Sequence, residues 1–342
     1  MKRPFLDTLE TPCETVDISN PLTDKGFDDF FDKKLYKIET YKNLAVETST
    51  ALLDFSEYLH EKAIQMRTCG NNITLGSDGR VVSADFCRLR LCPMCQRRKA
   101  LKTYAEFTQI LNYLDDFSFI HLVLTVPNCS MNELRETLGY MEKCSSRLFN
   151  IKALKKAFCG IVRCTEVTYN SNTLSFHPHF HCLIAVKNSY FTSRDYISQK
   201  KLVSLWSACW ALKHENIRYV SDELIYETVN TETLQVHVEK ADDGALPEIA
   251  KYCVKPLELE LSRKERAKVL DALFLGMHGK RLIQTYGVIK EACHDLRVDL
   301  EKCFDIDTLT NVDIEALRVY NWNYATHKFE QKRGFNNFQI VK

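Results

Sequence analysis

No stretch of this 342-residue sequence approaches the roughly 18–20 consecutive apolar residues that span a bilayer, so no transmembrane segment is expected. The opening Met1-Lys2-Arg3-Pro4-Phe5-Leu6-Asp7 turns acidic at once. It lacks the apolar core of a secretory signal, which points to a cytoplasmic location. An excess of charge of one sign is also missing, since 46 Lys and Arg stand against 45 Asp and Glu. Bulk charge therefore names no nucleic-acid partner, and any such contact must come from local clusters. Histidine is scarce too, 10 residues in all, which gives weight to any place where histidines gather.

Cysteine, by contrast, is plentiful at 14 residues. In a small secreted chain that count implies disulfides, but in a cytosolic chain of this length it indicates metal ligands and buried thiols. Apolar content of 45% with 27% charged residues is ordinary for a globular protein. The length suits one large domain or two modest ones.

Three of the histidines fall within one segment, Phe176-His177-Pro178-His179-Phe180-His181-Cys182-Leu183-Ile184-Ala185-Val186. Its apolar, β-branched end reads as a strand, and alternation then places His177, His179 and His181 on one face. Imidazoles two residues apart on a strand make a ready metal-ligand pair. Just before it, residues 160–169 read as another strand and Asn170-Ser171-Asn172-Thr173 as a turn. A turn centred between Ser171 and Asn172 sets Glu166 opposite His177, diagonal to His179 and on the same face. Two imidazoles and a carboxylate leave positions on a divalent ion open to exchange, as a catalytic site requires.

Cys69, Cys87, Cys92 and Cys95 form a second group. Cys92-Pro93-Met94-Cys95 is a knuckle that aims two thiolates at one ion, and Cys69 with Cys87 can complete a tetrahedral Zn²⁺ site. Turn residues from Gly70 to Gly79 suggest a small hairpin between them. Arg88, Arg90, Arg97, Arg98 and Lys99 surround the knuckle, with no acidic residue from 88 to 102. Such a run is either a solvated face or a contact surface for a phosphate backbone.

Elsewhere the periodicity predicts helices over 44–66, 98–114, 131–157, 197–213 and 258–275. Strands are predicted at 119–126, with His121 and Thr125 opposite its apolar face, and near 217–220, 224–229 and 234–238. Residues 1–40 read as a loosely ordered lead-in. After Pro247, a short helix sets Glu248 and Tyr252 on one face, with Lys255 close by. Taken alone, that spacing is weak.

Taken in order, Arg90-Leu91-Cys92-Pro93-Met94-Cys95, the His177–Leu183 motif and Glu248-Ile249-Ala250-Lys251-Tyr252-Cys253-Val254-Lys255 are jointly specific. They resemble the HUH endonucleases, and within them the replication initiators of small rolling-circle plasmids that use one tyrosine and a glutamate one helical turn before it. The resemblance runs from about Cys69 to Lys290. It implies an α+β fold: an antiparallel, RRM- or ferredoxin-like sheet of about five strands with packed helices, plus a small zinc-binding insertion. It implies that His179 and His181 bind Mg²⁺ or Mn²⁺ with Glu166 as third ligand, and that Tyr252 is the nucleophile. His177 matches an extra histidine to which no role is assigned.

The organisation expected is a mostly helical segment at 1–66, the Cys₄ zinc segment with its basic run at 67–100, the endonuclease domain at 101–295 and a tail at 296–342. The implied activity is origin-specific nicking and joining of single-stranded DNA through a 5′-phosphotyrosine. Glu248 would activate water at termination, and Lys255 would stabilise the phenolate. The implied partners are plasmid origin DNA and a host helicase and polymerase. A transposase or mobilisation relaxase would share this chemistry. A zinc-dependent nucleic-acid-binding regulator would bind without cutting, and a water-using metallohydrolase would cut without Tyr252.

Overall fold

The computed structural model describes residues 24–217, 234–241, 261–300 and 317–332, with side chains from residue 32 onward. The chain divides into two compact units, Met1–Leu101 with Phe304–Lys342, and Lys102–Cys303.

In the first unit, helix α1 (Asp24–Phe55) is followed by a short 3₁₀ turn and α2 (His60–Thr68). The sequence had suggested one helix over 44–66 and a loose lead-in before it. Instead α1 begins at Asp24, and Ser56, in an extended conformation with φ −139° and ψ 93°, interrupts the helical ladder. The buried face of α1 runs Leu35, Ile38, Lys42, Ala45, Ser49, Leu52. That is helical spacing, but two of its six members are polar, and those two conceal the stripe in the sequence. Strands β1 (Asn72–Leu75) and β2 (Val81–Ala84) form the expected hairpin.

Beyond it, β8 (Arg318–Asn323) pairs antiparallel with β1, and β9 (Lys328–Gln331) pairs with β8. The sheet order is β2-β1-β8-β9. Residues read from the sequence as part of a tail thus complete the sheet beside the cysteine segment. Two short strands whose partner lies near the other end of the chain leave no local pattern to recognise.

Helix α3 (Pro93–Tyr113) carries the chain into the second unit. There β3 (Phe117–Thr125), β4 (Gly160–Asn170), β5 (Ser175–Lys187), β6 (Val236–Ala241) and β7 (Ile283–Tyr286) form one sheet in the order β6-β3-β5-β4-β7. Every pairing in it is antiparallel. The mixed α+β class with antiparallel sheets is therefore the one expected. Histidine strand β5 is central, and both of its faces are buried over most of its length.

One face carries Phe180, Cys182 and Ile184 of β5 beside Ile120, Leu122 and Leu124 of β3. Helices α4 (Leu134–Asn150), α6 (Gln199–Ala211) and α7 (Arg263–Met277) cluster together, with α4 against β5 and α6 against β6. Arg163, on the Phe180 face, donates to Ser145 of α4, which fixes the side on which that helix lies. Each large apolar side chain buried there contributes about 1.5–3 kcal/mol. The indole Nε1 of Trp206 on α6 donates to the Thr125 carbonyl at 2.6 Å, anchoring the end of β3. At Gly276 of α7 an added Cβ would come 2.8 Å from Leu134, so this glycine permits the close approach of α4 and α7. Helix α5 (Lys152–Ala157) follows α4, and α8 (Gly287–Asp295) packs on β4 and β7.

The β4–β5 hairpin departs from the register expected. Asn170 pairs with Ser175, and Glu166 therefore lies opposite His179, with Thr168 opposite His177. The loop holds four residues, Ser171–Leu174. Asn170 Oδ1 accepts from the backbone N–H of Asn172 and of Thr173, and Leu174 takes a positive φ of 50°. The shift is two residues, so the face is kept; a shift of one would have turned Glu166 away.

Candidate active site and metal centres

The face of the second sheet opposite α4 presents Glu166 from β4 and His179 and His181 from β5. Glu166 Oε2 lies 2.6 Å from His179 Nε2 and 3.0 Å from His181 Nε2. One donor atom from each residue falls within 4.8 Å of the other two, and all three side chains are buried. The opposite nitrogens are committed elsewhere. His179 Nδ1 donates to the His177 carbonyl at 3.1 Å, and His181 Nδ1 lies 3.1 Å from His121 Nε2. The three ligand atoms therefore converge on one point.

Burial raises the Glu166 pKa, but hydrogen bonds from His179 and His181 outweigh it and hold the group down at about 2. Burial pushes His181 down to about 4, the Glu166 bond opposing the shift. At neutral pH the site thus offers a carboxylate and a neutral imidazole. An N₂O donor set of this kind, with places left for further oxygen ligands, fits Mg²⁺ or Mn²⁺.

His177 is not part of that convergence. Its Nδ1 donates to Asn128 Oδ1 at 2.7 Å, and its ring centre lies 5.4 Å from that of His179. Burial lowers its pKa. With Asn128, Thr168, Tyr169, Asn170 and Ser171 it lines a groove of about 510 Å³. Behind His181 lies a pair that the sequence left unused. His121 of β3 is buried, and its Nδ1 lies 3.1 Å from Glu239 Oε1 of β6. Alternation puts His121 opposite the apolar face of its own strand, whereas nothing in the sequence singles out Glu239.

In the first unit the four expected cysteines come together. The Sγ atoms of Cys69 and Cys95 are 3.6 Å apart and those of Cys87 and Cys95 3.7 Å apart. Tetrahedral Zn–S bonds of ~2.3 Å imply sulfur separations of about 3.8 Å, so the group fits Zn²⁺. Cys69 follows α2, Cys87 follows β2, and Cys92 and Cys95 bracket the start of α3. The backbone N–H of Cys87 donates to Cys69 Sγ at 3.3 Å. Hydrogen bonds from Cys69, Cys92 and Cys95 drive the Cys87 thiol toward thiolate, while Cys69 and Cys92 are pushed the other way. Four thiols this close cannot all ionise without a cation among them.

Beside this cluster sits Lys42, fully buried. Its Nζ donates to the carbonyls of Arg67 and Cys69 and to Asn71 Oδ1 at 2.7, 2.8 and 2.8 Å. The rings of Trp322 and Tyr324 face it at 5.8 and 5.7 Å. Burial lowers its pKa to about 8. Lys42 thus ties α1, the turn at Cys69 and the β8–β9 hairpin together. Its place at i+4 from Ile38 and i−3 from Ala45 was the available signal.

The basic run divides. Arg97 stacks on the Tyr41 ring at 5.2 Å and Arg98 on the Phe86 ring at 4.6 Å. Lys99 is half-buried, whereas Arg88, at φ 61°, and Arg90 are exposed. Glu248, Tyr252 and Lys255 lie outside the described residues, as do all but Ile217 of the strand expected at 217–220 and the whole of that at 224–229. No helix among the described residues is long and apolar enough to cross a membrane.

A family described as replication protein matches residues 78–331. The match reaches past the segment that the motifs delimit and takes in β8 and β9. The chain is 32% identical over 299 residues to the "Protein rep" of Streptococcus pneumoniae, covering 83% of this chain and 88% of that one. It is 30% identical over 288 residues to the "Protein rep" of Lentilactobacillus hilgardii, covering 78% and 85%. It is also 30% identical over 275 residues to that of Bacillus amyloliquefaciens, covering 76% and 80%. No solved structure matches.

Proposed function

This chain belongs to the replication-protein family of plasmid initiators, and from that premise we propose that it starts rolling-circle replication by nicking one strand of its origin DNA through Tyr252. The observation that carries the reading is the convergence of His179 Nε2, His181 Nε2 and Glu166 Oε2 on the two strands at the middle of an antiparallel sheet. Placement on strands holds such a constellation more tightly than loops would. The sheet, with helices against its other face, supports an HUH-type, ferredoxin-like fold.

Glu166, His179 and His181 hold a Mg²⁺ or Mn²⁺ ion. Bound there, the ion supplies polarisation of the scissile phosphate and offsets the charge that builds up in the transition state. Tyr252 Oη attacks the phosphorus. The new O–P bond forms as the bond to the 3′ oxygen breaks, leaving a 5′-phosphotyrosyl link and a 3′-OH that a host polymerase extends behind a host helicase. A phenol of ordinary pKa near 10 needs help to ionise, which the positive charge of Lys255 gives by stabilising the phenolate. Glu248 takes a proton from water at termination, so one tyrosine suffices for the whole cycle.

The four cysteines hold a structural Zn²⁺, and the basic residues beside them contact the origin backbone in the cytoplasm. Arg88 and Arg90 make the phosphate contacts, while Arg97 and Arg98 orient the start of α3 by stacking on the Tyr41 and Phe86 rings and Lys99 lies alongside.

Covalent capture tests the central claim. Purified protein, Mn²⁺ and labelled single-stranded origin DNA are run on a denaturing gel beside Tyr252→Phe. A labelled protein adduct, lost in the variant, is the expected result. Cleavage with no adduct replaces the tyrosine by water, and binding without cleavage removes the nuclease reading altogether.

A further inference from the structure

A row of side chains crosses three strands on the face that carries the ligands. Glu239 on β6 lies directly opposite His121 on β3, and His121 reaches His181 on the next strand, β5. His121 Nδ1 is 3.1 Å from Glu239 Oε1, and His121 Nε2 is 3.1 Å from His181 Nδ1. The two imidazoles are stacked nearly parallel, 5.4 Å apart and inclined by 17°. His121 is 4% exposed, and both of its ring nitrogens are engaged. Glu239 Oε2 in turn lies 3.3 Å from His237 Nε2.

Hydrogen-bond chemistry gives this row a direction. A carboxylate accepts only, so His121 must carry a proton on Nδ1. In neutral His121 the Nε2 atom is then an acceptor, and it calls for a proton on His181 Nδ1. In the metal-free site His181 Nε2 shares a proton with Glu166 Oε2 at 3.0 Å. Once a cation displaces it, the Nδ1 proton is what leaves the Nε2 lone pair aimed at the point where His179 Nε2 and Glu166 Oε2 also meet. A ring free to rotate or to exchange tautomers would present this lone pair only part of the time. A leucine at position 121 would fill the same space and fix nothing.

The geometry points to His121 and Glu239 as positioning residues for the catalytic ion: Glu239 orients His121, and His121 fixes the tautomer and rotation of His181. This rests on the metal reading of the Glu166–His179–His181 cluster given above. It extends that reading to a third histidine and to a carboxylate from the edge strand. The partners of a ligating histidine contribute about 10–100-fold in metal affinity where they have been removed. An effect of that size is expected at His121.

The test is Mn²⁺ affinity of the full, zinc-loaded chain, read from the paramagnetic resonance of the free ion, for wild type, His179→Ala, His121→Leu, Glu239→Ala and Glu239→Gln. His179→Ala should abolish specific binding. His121→Leu should weaken it by about 10–100-fold. Glu239→Ala should weaken it several-fold, and Glu239→Gln should recover most of that, because an amide oxygen still accepts from His121 Nδ1. A merely structural role would not separate Gln from Ala at a side chain that is 48% exposed.

If His121→Leu fails to fold, as circular dichroism would reveal, the two Glu239 variants decide the matter. Wild-type affinity in both His121→Leu and Glu239→Ala, with binding lost in His179→Ala, overturns the relay and leaves the metal reading intact. Absence of Mn²⁺ binding by the wild type, or binding indifferent to His179→Ala, overturns both.

Discussion

The two ligand clusters are built on opposite plans. In the first unit, four sulfurs arrive from the end of a helix, a loop and a knuckle, not from neighbouring strands of one sheet. In the second, two nitrogens and an oxygen project from adjacent central strands whose reverse face is a packed core. The cysteine set fills a tetrahedron and leaves no position for substrate, whereas the histidine set leaves several. Metal and fold are thus coupled differently. On the proposed reading the cysteine segment would need its ion to stay folded, while the strands already bring Glu166, His179 and His181 together.

That contrast predicts its largest effect at the cysteines. Zn²⁺ in small finger peptides supplies ~10–16 kcal/mol of apparent folding free energy. Chelation, or Cys92→Ser, should therefore abolish hydrogen-exchange protection across β1, β2 and the start of α3 while β3, β4 and β5 stay protected. Equal protection in both units after zinc loss would erase the distinction. The opposite pattern is expected for Glu166→Gln. Removing the negative ligand should reduce nicking by about 10²–10³-fold or more. The second unit should lose only the stabilisation that the carboxylate draws from His179 and His181 and stay folded, because the apolar core lies on the other face of the sheet. A collapse of the sheet on this substitution would make the histidine site structural.

A smaller effect separates the two halves of the reaction. Glu248→Ala should leave formation of the first covalent adduct within a few-fold of wild type and slow release of the finished circle by about 10²-fold, the usual size of one general base. Plasmid-length products from a supercoiled origin template report both steps. Equal loss in the two would place Glu248 in binding or in the first attack.

What the sequence made legible follows from the range of each pattern. Alternation within one strand put His177, His179 and His181 on a common face and His121 opposite the apolar face of its own strand, because strand period is local and robust. The same logic kept Glu166 on that face, although the hairpin loop is longer than a symmetric turn and the register moved by two. The knuckle at Cys92 and Cys95 was legible for the same reason, with only two residues between them. What required three dimensions was of another kind. Glu239 reaches His181 through His121 from an edge strand. Lys42 is a cation in the middle of an apolar stripe. Strands β8 and β9 complete a sheet begun near the other end of the chain. Arg97 and Arg98 looked like a free basic face, yet each guanidinium lies over an aromatic ring of its own unit.

The smallest effect expected lies in the acid response of the metal-free protein, and it sharpens the contrast between a scaffold that waits for its ion and one that depends on it. Burial holds His181 at about 4, below its ordinary 6.5. Between those values the unfolded chain takes up a proton that the folded chain refuses, so stability falls on acidification through that window. Glu166 is held at about 2 rather than 4.5, its bonds to His179 and His181 outweighing burial. Its contribution is present above about pH 4.5 and is lost as pH falls through about 2. Each shift corresponds to an effect on the order of 3 kcal/mol. Urea midpoints of the second unit, followed at pH 7, 5 and 3, should therefore decline progressively without any metal present, and His181→Gln should flatten the upper part of that decline. An identical slope in the variant would move the acid response to other groups. The second unit would then have to be described, like the first, by what binds it rather than by how its strands are built.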